Sequence, residues 1–283
     1  MQIIVAKGAG FCFGVKRAID IAFNLSKEME KGVYTFGPLI HNPQVVNELI
    51  EEGVMPTEDV HSPEIKTLII RTHGISPKVY EEISKTGYKI VDATCPFVKK
   101  AQRYAQTLKE EGYQVLILGD RQHPEVQGLL GFAGDDVIVV NPMKNDFSTL
   151  PPLKKRVGII AQTTQPFEAL EKVVCSVISS AKEVKVYNTI CDSTDFRLKK
   201  TKELAKMVDI MIVVGGKNSA NTSQLANLSK EICERVHHVE TAEELKNKWF
   251  NGVEKVGITG GASTPQWIID EVVEKIKEIS FII

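Results

Sequence analysis

Three cysteines stand in equivalent local settings along this chain. Cys12 lies in GFCFGVKRAID, Cys95 in TCPFVKKAQRY and Cys191 in TICDSTDFRLKKTKELA. The first two share the pattern C-x-x-V-K-[KR]-A, and all three open a helical pattern with basic residues in its early turns. A helix N-terminus stabilises a thiolate, the form of cysteine that binds metal. Three thiolates brought to one point match three irons of a [4Fe–4S] cube, leaving the fourth iron open, whereas an electron-transfer cluster normally has four cysteine ligands. Zinc on three thiolates is the alternative, but the local C-x-x-C spacing usual for it is absent. Cys175, in EKVVCSVISS, and Cys233, in KEICERV, fall inside helical patterns and read as core or half-buried residues.

A second group of residues could hold an anion. His41, His123 and the Ser219/Asn221 pair occupy one set of loops. His73, Thr163 with Thr164, and Ser263 occupy another. Imidazoles, hydroxyls and an amide at helix N-termini, together with backbone N–H groups, suit a phosphate or diphosphate. Glu125 follows His123 in HPEVQG. A carboxylate beside an open metal site is a candidate proton donor, and the simpler alternative is charge stabilisation of a helix start. His61 and the His237–His238 pair lie outside these loops and read as ordinary surface residues.

These loops need a scaffold, and the chain supplies a threefold repeat. Each cysteine segment is followed by an apolar run, a Gly-containing polar loop and a helical pattern: VYTFGPLIHNPQVVNELIEEG, VLILGDRQHPEVQGLLGFAG and MIVVGGKNSANTSQLANLSKEI. A further strand–loop–helix follows each: TLIIRTHGISPKVYEEI, VGIIAQTTQPFEALEKV and VGITGGASTPQWIIDEVVEKI. Cys12 precedes His41 by 29 residues, Cys95 precedes His123 by 28, and Cys191 precedes Ser219 by 28. The later spacing varies from 32 (His41 to His73) to 44 (Ser219 to Ser263), which we ascribe to loop length, as in NPMKNDFSTLPPLKK. Alternating strands and helices predict three small parallel α/β units, whose ligands bind beyond the carboxyl ends of the strands. Packing about a pseudo-threefold axis would make a cloverleaf around a central iron–sulfur site. The units are placed at 13–95, at 96–190, and at 191–283 with 1–12, the short N-terminal strand and Cys12 loop either completing the third unit or sealing the centre.

Composition sets the outer bounds. The chain has 283 residues, 43% hydrophobic and 25% charged, with a net charge of −1. That is globular composition without the positive field of a nucleic-acid or anionic-membrane binder. No apolar run approaches the roughly 20 residues of a membrane span. MQIIVAKGAG reads as a first strand rather than a signal peptide, so a cytoplasmic location is expected, as is a monomer or weak dimer.

Taken together, GFCFGVKRAI, PLIHNPQVV, TCPFV, HPEVQG, AQTTQ, NTIC, KNSANTSQL and GASTP resemble the motif set of the 4-hydroxy-3-methylbut-2-enyl diphosphate reductases, from about Phe11 to Pro265. The resemblance implies a [4Fe–4S] cluster on Cys12, Cys95 and Cys191. It implies that His41, His73, His123, Ser219, Asn221 and Ser263 hold the substrate diphosphate, that Glu125 delivers protons, and that Thr163 orients the substrate hydroxyl. The implied reaction is a reductive dehydroxylation to isopentenyl and dimethylallyl diphosphates, the last step of the non-mevalonate isoprenoid pathway, with ferredoxin or flavodoxin as electron donor. Two departures are visible: Leu198 where the family usually has Gln, and Ala220 where Ser often sits. The rival readings are a quinolinate synthase-like iron–sulfur dehydratase, a non-catalytic iron–sulfur redox sensor and a metal-free phosphosugar-binding module. The first needs no diphosphate site, the second no polar anion loops, and the third leaves the equivalent cysteines unexplained. No docking patch for an electron donor is legible in the sequence.

Overall fold

A computed structural model of the chain describes residues 1–29, 31–142 and 150–282. Residues 143–149, within the stretch expected to lengthen one loop, lie outside the described residues. The fold class is the expected one: three parallel four-stranded α/β units.

The first sheet contains β2 (Val33–Phe36), β3 (Val54–Thr57), β4 (Thr67–Ile70) and β5 (Lys89–Asp92), in the order β3-β2-β4-β5. The second contains β6 (Gln114–Leu118), β7 (Ile138–Val140), β8 (Arg156–Ala161) and β9 (Glu183–Val186), in the order β7-β6-β8-β9. The third joins β1 (Gln2–Val5) to β10 (Ile210–Val214), β11 (Val236–Val239) and β12 (Lys255–Gly260), in the order β1-β12-β10-β11. All pairings are parallel. Strand β1 thus takes the edge position that β5 and β9 take in the other sheets, and each of these three edge strands runs directly into a cysteine loop.

Sequence explains which strands are central. TLII, QVLIL and IMIVV are buried along their whole length, as strands covered by helices on both faces must be. The edge strands β5, β9 and β1 carry exposed and half-buried positions instead. The helices are α1 (Phe13–Glu28), α2 (Pro43–Glu51), α3 (Pro77–Ser84), α4 (Pro96–Glu110), α5 (Pro124–Ala133), α6 (Phe167–Ile178), α7 (Asp192–Ala205), α8 (Ala220–Lys230) and α9 (Gln266–Ile282). Proline opens α3, α4 and α5, where its missing N–H costs no helical hydrogen bond.

The chain divides into two compact units. One comprises Met1–Lys16, Ile40–Asn47 and Asp192–Ile283 and holds the third sheet, with a core of Ile210, Ile212, Val256 and Ile258 against Ile268, Ile269, Val272 and Ile276 of α9. The other comprises Arg17–Leu39 and Glu48–Cys191 and holds the first two sheets. There α4 and α5 cover one face of the second sheet through Ala101, Ala105, Leu108, Val126 and Leu129, and α6 covers the other through Leu170, Val173 and Val177. Gly158 lets α4 approach β8, because a Cβ there would sit 2.5 Å from Leu108. In every sheet the strand order reverses between the two central strands, the point where open parallel sheets bind ligands. The loops leaving those strands carry the polar residues singled out above.

Candidate active site

In the unit made of Arg17–Leu39 and Glu48–Cys191, the loops after β6 and β8 place Glu125 against Thr163. Glu125 is 2% exposed. Its Oε1 accepts the Thr163 backbone N–H at 2.6 Å and its Oε2 meets the Thr163 hydroxyl at 2.8 Å. Burial drives the Glu125 pKa up, the two Thr163 hydrogen bonds pull it partly back, and the result is about 7. His123 caps α5, its Nδ1 accepting the Glu125 backbone N–H at 3.2 Å. That bond places the proton of a neutral His123 on Nε2 and makes Nε2 the donor nitrogen. The His73 ring meets the His123 ring edge-on, with centroids 5.3 Å apart. Gly74 turns the chain just after His73 with φ +71°, and a Cβ there would lie 2.5 Å from Gln102 Nε2. Only glycine fits both demands.

Cys95 is the N-cap residue of α4 and makes no side-chain capping bond. The stretch leading to it is fixed by Asp92, which accepts the Thr94 N–H at 2.9 Å and pairs with Lys99 at 2.7 Å. Burial works against the Asp92 charge, but Lys99 and Thr94 outweigh it and hold the carboxyl below its ordinary pKa. Arg17 adds bonds to the Asp92 and Thr94 carbonyls. Cys191 directly precedes α7, and its N–H donates to the Thr163 carbonyl at 2.9 Å. The residue beside the buried carboxyl thus also anchors a cysteine.

The other unit carries its share of the candidates on three linked loops. The Cys12 N–H donates to the Ala262 carbonyl, and the Cys12 carbonyl accepts the Lys16 N–H that starts α1. The Ala262 N–H in turn donates to Asn221 Oδ1 at 2.9 Å. Asn221 Nδ2 is buried and has no hydrogen-bond partner among the described residues, so a donor is left for an acceptor from outside. Ser219 caps α8 by accepting the Thr222 N–H at 3.3 Å. Ser263 Oγ donates to the His41 carbonyl at 3.1 Å. Gly216 lies so close to that carbonyl that a Cβ would sit 2.6 Å from it.

Several residues of these sites escape sequence reasoning. Arg197 is 3% exposed and donates to the carbonyls of Gly8 and Gly260, the latter at 2.9 Å, which fixes the loop entering Cys12. Asn42 caps α2 by accepting the Val45 N–H, while its buried Nδ2 has no partner among the described residues. Gln162 accepts the Asp120 N–H and donates to the Thr164 hydroxyl, joining the loops after β6 and β8. The only sequence signal for Arg197 and Asn42 is a polar residue inside a recognisable motif. Cys233 is buried as expected, but Cys175 is exposed: it lies on the outer face of α6 with Glu171, Lys172 and Ser179. His61 is an exposed partner of Glu82, His237 stacks on Trp249, and His238 bonds the Gly215 carbonyl, as befits residues outside the repeat loops.

Cys12, Cys95 and Cys191 are each half-buried at the start of a helix. Soft sulfur donors at helix starts, where the helix dipole favours the thiolate, fit an iron–sulfur group. Leu198 packs on Val213, Leu225 and Ala226, so the departure at that position is a core contact and removes no site residue.

The comparisons with known proteins agree along the chain. A family model described as LytB protein matches residues 3–277. The chain is 52% identical to the 4-hydroxy-3-methylbut-2-enyl diphosphate reductase of Geobacter sp. (strain M21), with 99% of this chain and 98% of that protein covered. It is 50% identical to the protein of that name from Pelobacter propionicus, with 99% of each covered. Among solved structures, (E)-4-hydroxy-3-methyl-but-2-enyl diphosphate reductase, the terminal enzyme of the non-mevalonate pathway, is similar with TM-score 0.69 and 47% identity, over 98% of this chain and 100% of that one. The E-1-hydroxy-2-methyl-but-2-enyl-4-diphosphate reductase of Plasmodium falciparum is similar with TM-score 0.88 and 27% identity, over 96% of this chain and 87% of that one. This chain belongs to the LytB protein family.

Proposed function

We propose that this chain is a 4-hydroxy-3-methylbut-2-enyl diphosphate reductase, an oxidoreductase that makes isopentenyl and dimethylallyl diphosphates in the last step of the non-mevalonate pathway. Its relatives carry that enzyme's name over 99% of this chain. The structural observation that carries it is the buried Glu125 carboxyl with a pKa of about 7, held by both polar groups of Thr163.

The reaction breaks the allylic C–O bond, forms a C–H bond and releases water, consuming two electrons and two protons. We assign Cys12, Cys95 and Cys191 as the protein ligands of a [4Fe–4S] cluster. When bound, that group supplies the electrons and Lewis-acidic iron for the C–O bond. Proton delivery falls to the chain's own residues. While Glu125 is ionised, the Thr163 hydroxyl donates to Oε2. Once Glu125 is protonated, the direction reverses: the carboxyl donates to Thr163 Oγ1, whose own proton turns toward the leaving hydroxyl. A pKa near 7 keeps both states accessible at neutral pH. The Thr163 N–H holds Oε1 in either state, so the proton moves without the carboxyl swinging.

We assign the substrate diphosphate to His41, His73, His123, Ser219, Asn221 and Ser263. Asn221 Nδ2 and the Nε2–H of neutral His123 are donors suited to phosphate oxygens. Anchoring this remote, charged end orients the neutral allylic end for reaction. The segments 13–95, 96–190, and 191–283 with 1–12 are taken as the repeat units. Ferredoxin or flavodoxin is the donor we assign, and the cytoplasm the location. Among the described residues no helix is long and apolar enough to cross a membrane. A quinolinate synthase-like dehydratase is not favoured, since the relatives are named as the reductase. A redox sensor would not need a buried proton donor.

The test is Mössbauer spectroscopy of anaerobically purified, iron-57-labelled protein titrated with 4-hydroxy-3-methylbut-2-enyl diphosphate. A change confined to one iron site supports the assignment. Iron that ignores this substrate, together with no turnover, would overturn it.

A further inference from the structure

We propose that the outer face of α4, with the end of β9 beside it, is the docking surface for an acidic one-electron carrier protein. This rests on the reductase assignment above, which requires electrons delivered from outside. Helix α4 starts immediately after Cys95. Phe97, Lys100 and Tyr104 recur along it at helical spacing and share one stripe, with Arg103 beside them. Phe97 is 36% exposed, and Lys100 and Arg103 are exposed. Neither cation has an ion-pair partner among the described residues, whereas the neighbouring Lys99 is tied to Asp92 at 2.7 Å.

The stripe is continued by a cation–aromatic ladder. The Lys100 ammonium lies 5.7 Å from the Tyr104 ring centroid. Tyr104 stacks flat on Tyr187, with centroids 4.0 Å apart and planes 4° from parallel. Lys185 lies 5.4 Å from the Tyr187 ring and pairs with Glu111. Tyr187 follows β9 directly and stands four residues before Cys191 in the chain. Two chain segments that each carry a cysteine therefore meet in this patch at the two tyrosines. The net charge of the chain is −1, so unpaired cations here are a local arrangement rather than a by-product of a basic protein.

Charge complementarity selects the occupant. Exposed cations around a fixed aromatic surface attract and orient an acidic protein, and they act mainly on the rate of encounter. Turnover takes two electrons, one per encounter, so a fast and transient contact suits the reaction better than a tight complex. In each encounter the carrier is oxidised by one electron and leaves.

The experiment compares two reductants on the iron-loaded enzyme. One is a reduced acidic [2Fe–2S] ferredoxin; the other is dithionite-reduced methyl viologen, too small to need the patch. We expect the double variant Lys100→Glu/Arg103→Glu to lose about tenfold or more in kcat/KM for ferredoxin at low salt. Its viologen-driven turnover should be unchanged, and Lys100→Ala/Arg103→Ala should fall between. Salt should slow the ferredoxin reaction of the unmodified protein, affect that of the alanine variant less, and not slow that of the reversal variant, whose repulsion it screens. Equal ferredoxin kcat/KM in all three proteins overturns the docking surface, as does a parallel loss with viologen. If the unmodified protein fails to turn over with viologen, it is the reductase assignment that falls.

Discussion

Glu125 grips Thr163 with both carboxylate oxygens, one on the backbone N–H at 2.6 Å and one on the hydroxyl at 2.8 Å. The grip is buried, and it joins the helix start after β6 to the loop after β8. In Glu125→Gln the amide oxygen can keep the backbone bond and the amide N–H₂ can donate to Thr163 Oγ1. Geometry is preserved and the transferable proton is lost. Single-turnover rates should fall by about a hundredfold to a thousandfold. Iron content and substrate affinity should stay near those of the unmodified protein. Near-normal turnover would remove Glu125 from proton delivery.

The same carboxyl makes stability depend on pH. Its folded pKa, about 7, lies above the ordinary value of 4.5. The folded state therefore binds the proton more tightly than the unfolded state. The associated stability is fully present below pH 4.5 and is lost as pH rises through 7. The span corresponds to about 3 kcal/mol. Glu125→Gln has no such titration. Between pH 5 and pH 8 the unmodified apoprotein should lose roughly that much stability relative to the variant in urea unfolding. Parallel pH profiles of the two proteins would contradict the assignment.

Much of this was legible in the sequence, for identifiable reasons. The apolar runs TLII, QVLIL and IMIVV, each followed by a polar loop and a helical pattern, read as strands, and their threefold recurrence predicted parallel α/β units; the place of the N-terminal strand was not legible, and it is the pairing with β12 that puts β1 at the edge of the third sheet. The polar loop residues stood out because three equivalent loops carried them. What stayed hidden depends on distance through space. Tyr104 and Tyr187 are 83 residues apart and stack only because α4 covers β8 and β9 lies beside β8. Arg197 lies on a helix with basic neighbours, and nothing in FRLKK distinguishes the one side chain that turns inward from the lysines that face solvent. The exposure of Cys175 depends on which side of a largely apolar helix meets the sheet, a choice its pattern leaves open.

Substituting the cysteines should separate ligands from bystanders. Cys12→Ser, Cys95→Ser and Cys191→Ser should each lower iron content and visible absorption after anaerobic purification. Cys175→Ser, exposed on α6, should match the unmodified protein. Full iron content in any of the first three would remove that residue from the ligand set.

Arg197 should prove to be a positioning residue for Cys12. Arg197→Met keeps the side-chain volume but leaves the Gly8 and Gly260 carbonyls without their donor. A buried acceptor left unmet costs about 1–3 kcal/mol. The variant apoprotein should melt several degrees lower, and Cys12 should alkylate faster with iodoacetamide as its loop loosens, while Cys233 is unaffected. A merely structural role would lower the melting temperature and leave the relative labelling of the two cysteines unchanged.

Asn221 combines two duties that substitution can separate. Its Oδ1 holds the Ala262 N–H, the residue to which Cys12 is bonded, and its buried Nδ2 has no partner among the described residues. Asn221→Asp retains an acceptor for Ala262 and replaces the donor by a negative charge. Asn221→Ala removes both. If Nδ2 donates to a diphosphate oxygen, a charged hydrogen bond of about 1.5–3 kcal/mol is lost, so the Kd for substrate in Asn221→Ala should rise roughly tenfold to a hundredfold. Asn221→Asp should bind more weakly still, because like charges then face each other, while its iron content stays closer to normal than that of the alanine variant. Calorimetric titration with substrate and iron analysis of both proteins decide the matter. An aspartate variant that binds substrate as well as the unmodified protein would take Asn221 out of the anion site and leave it only its hold on the Cys12 loop.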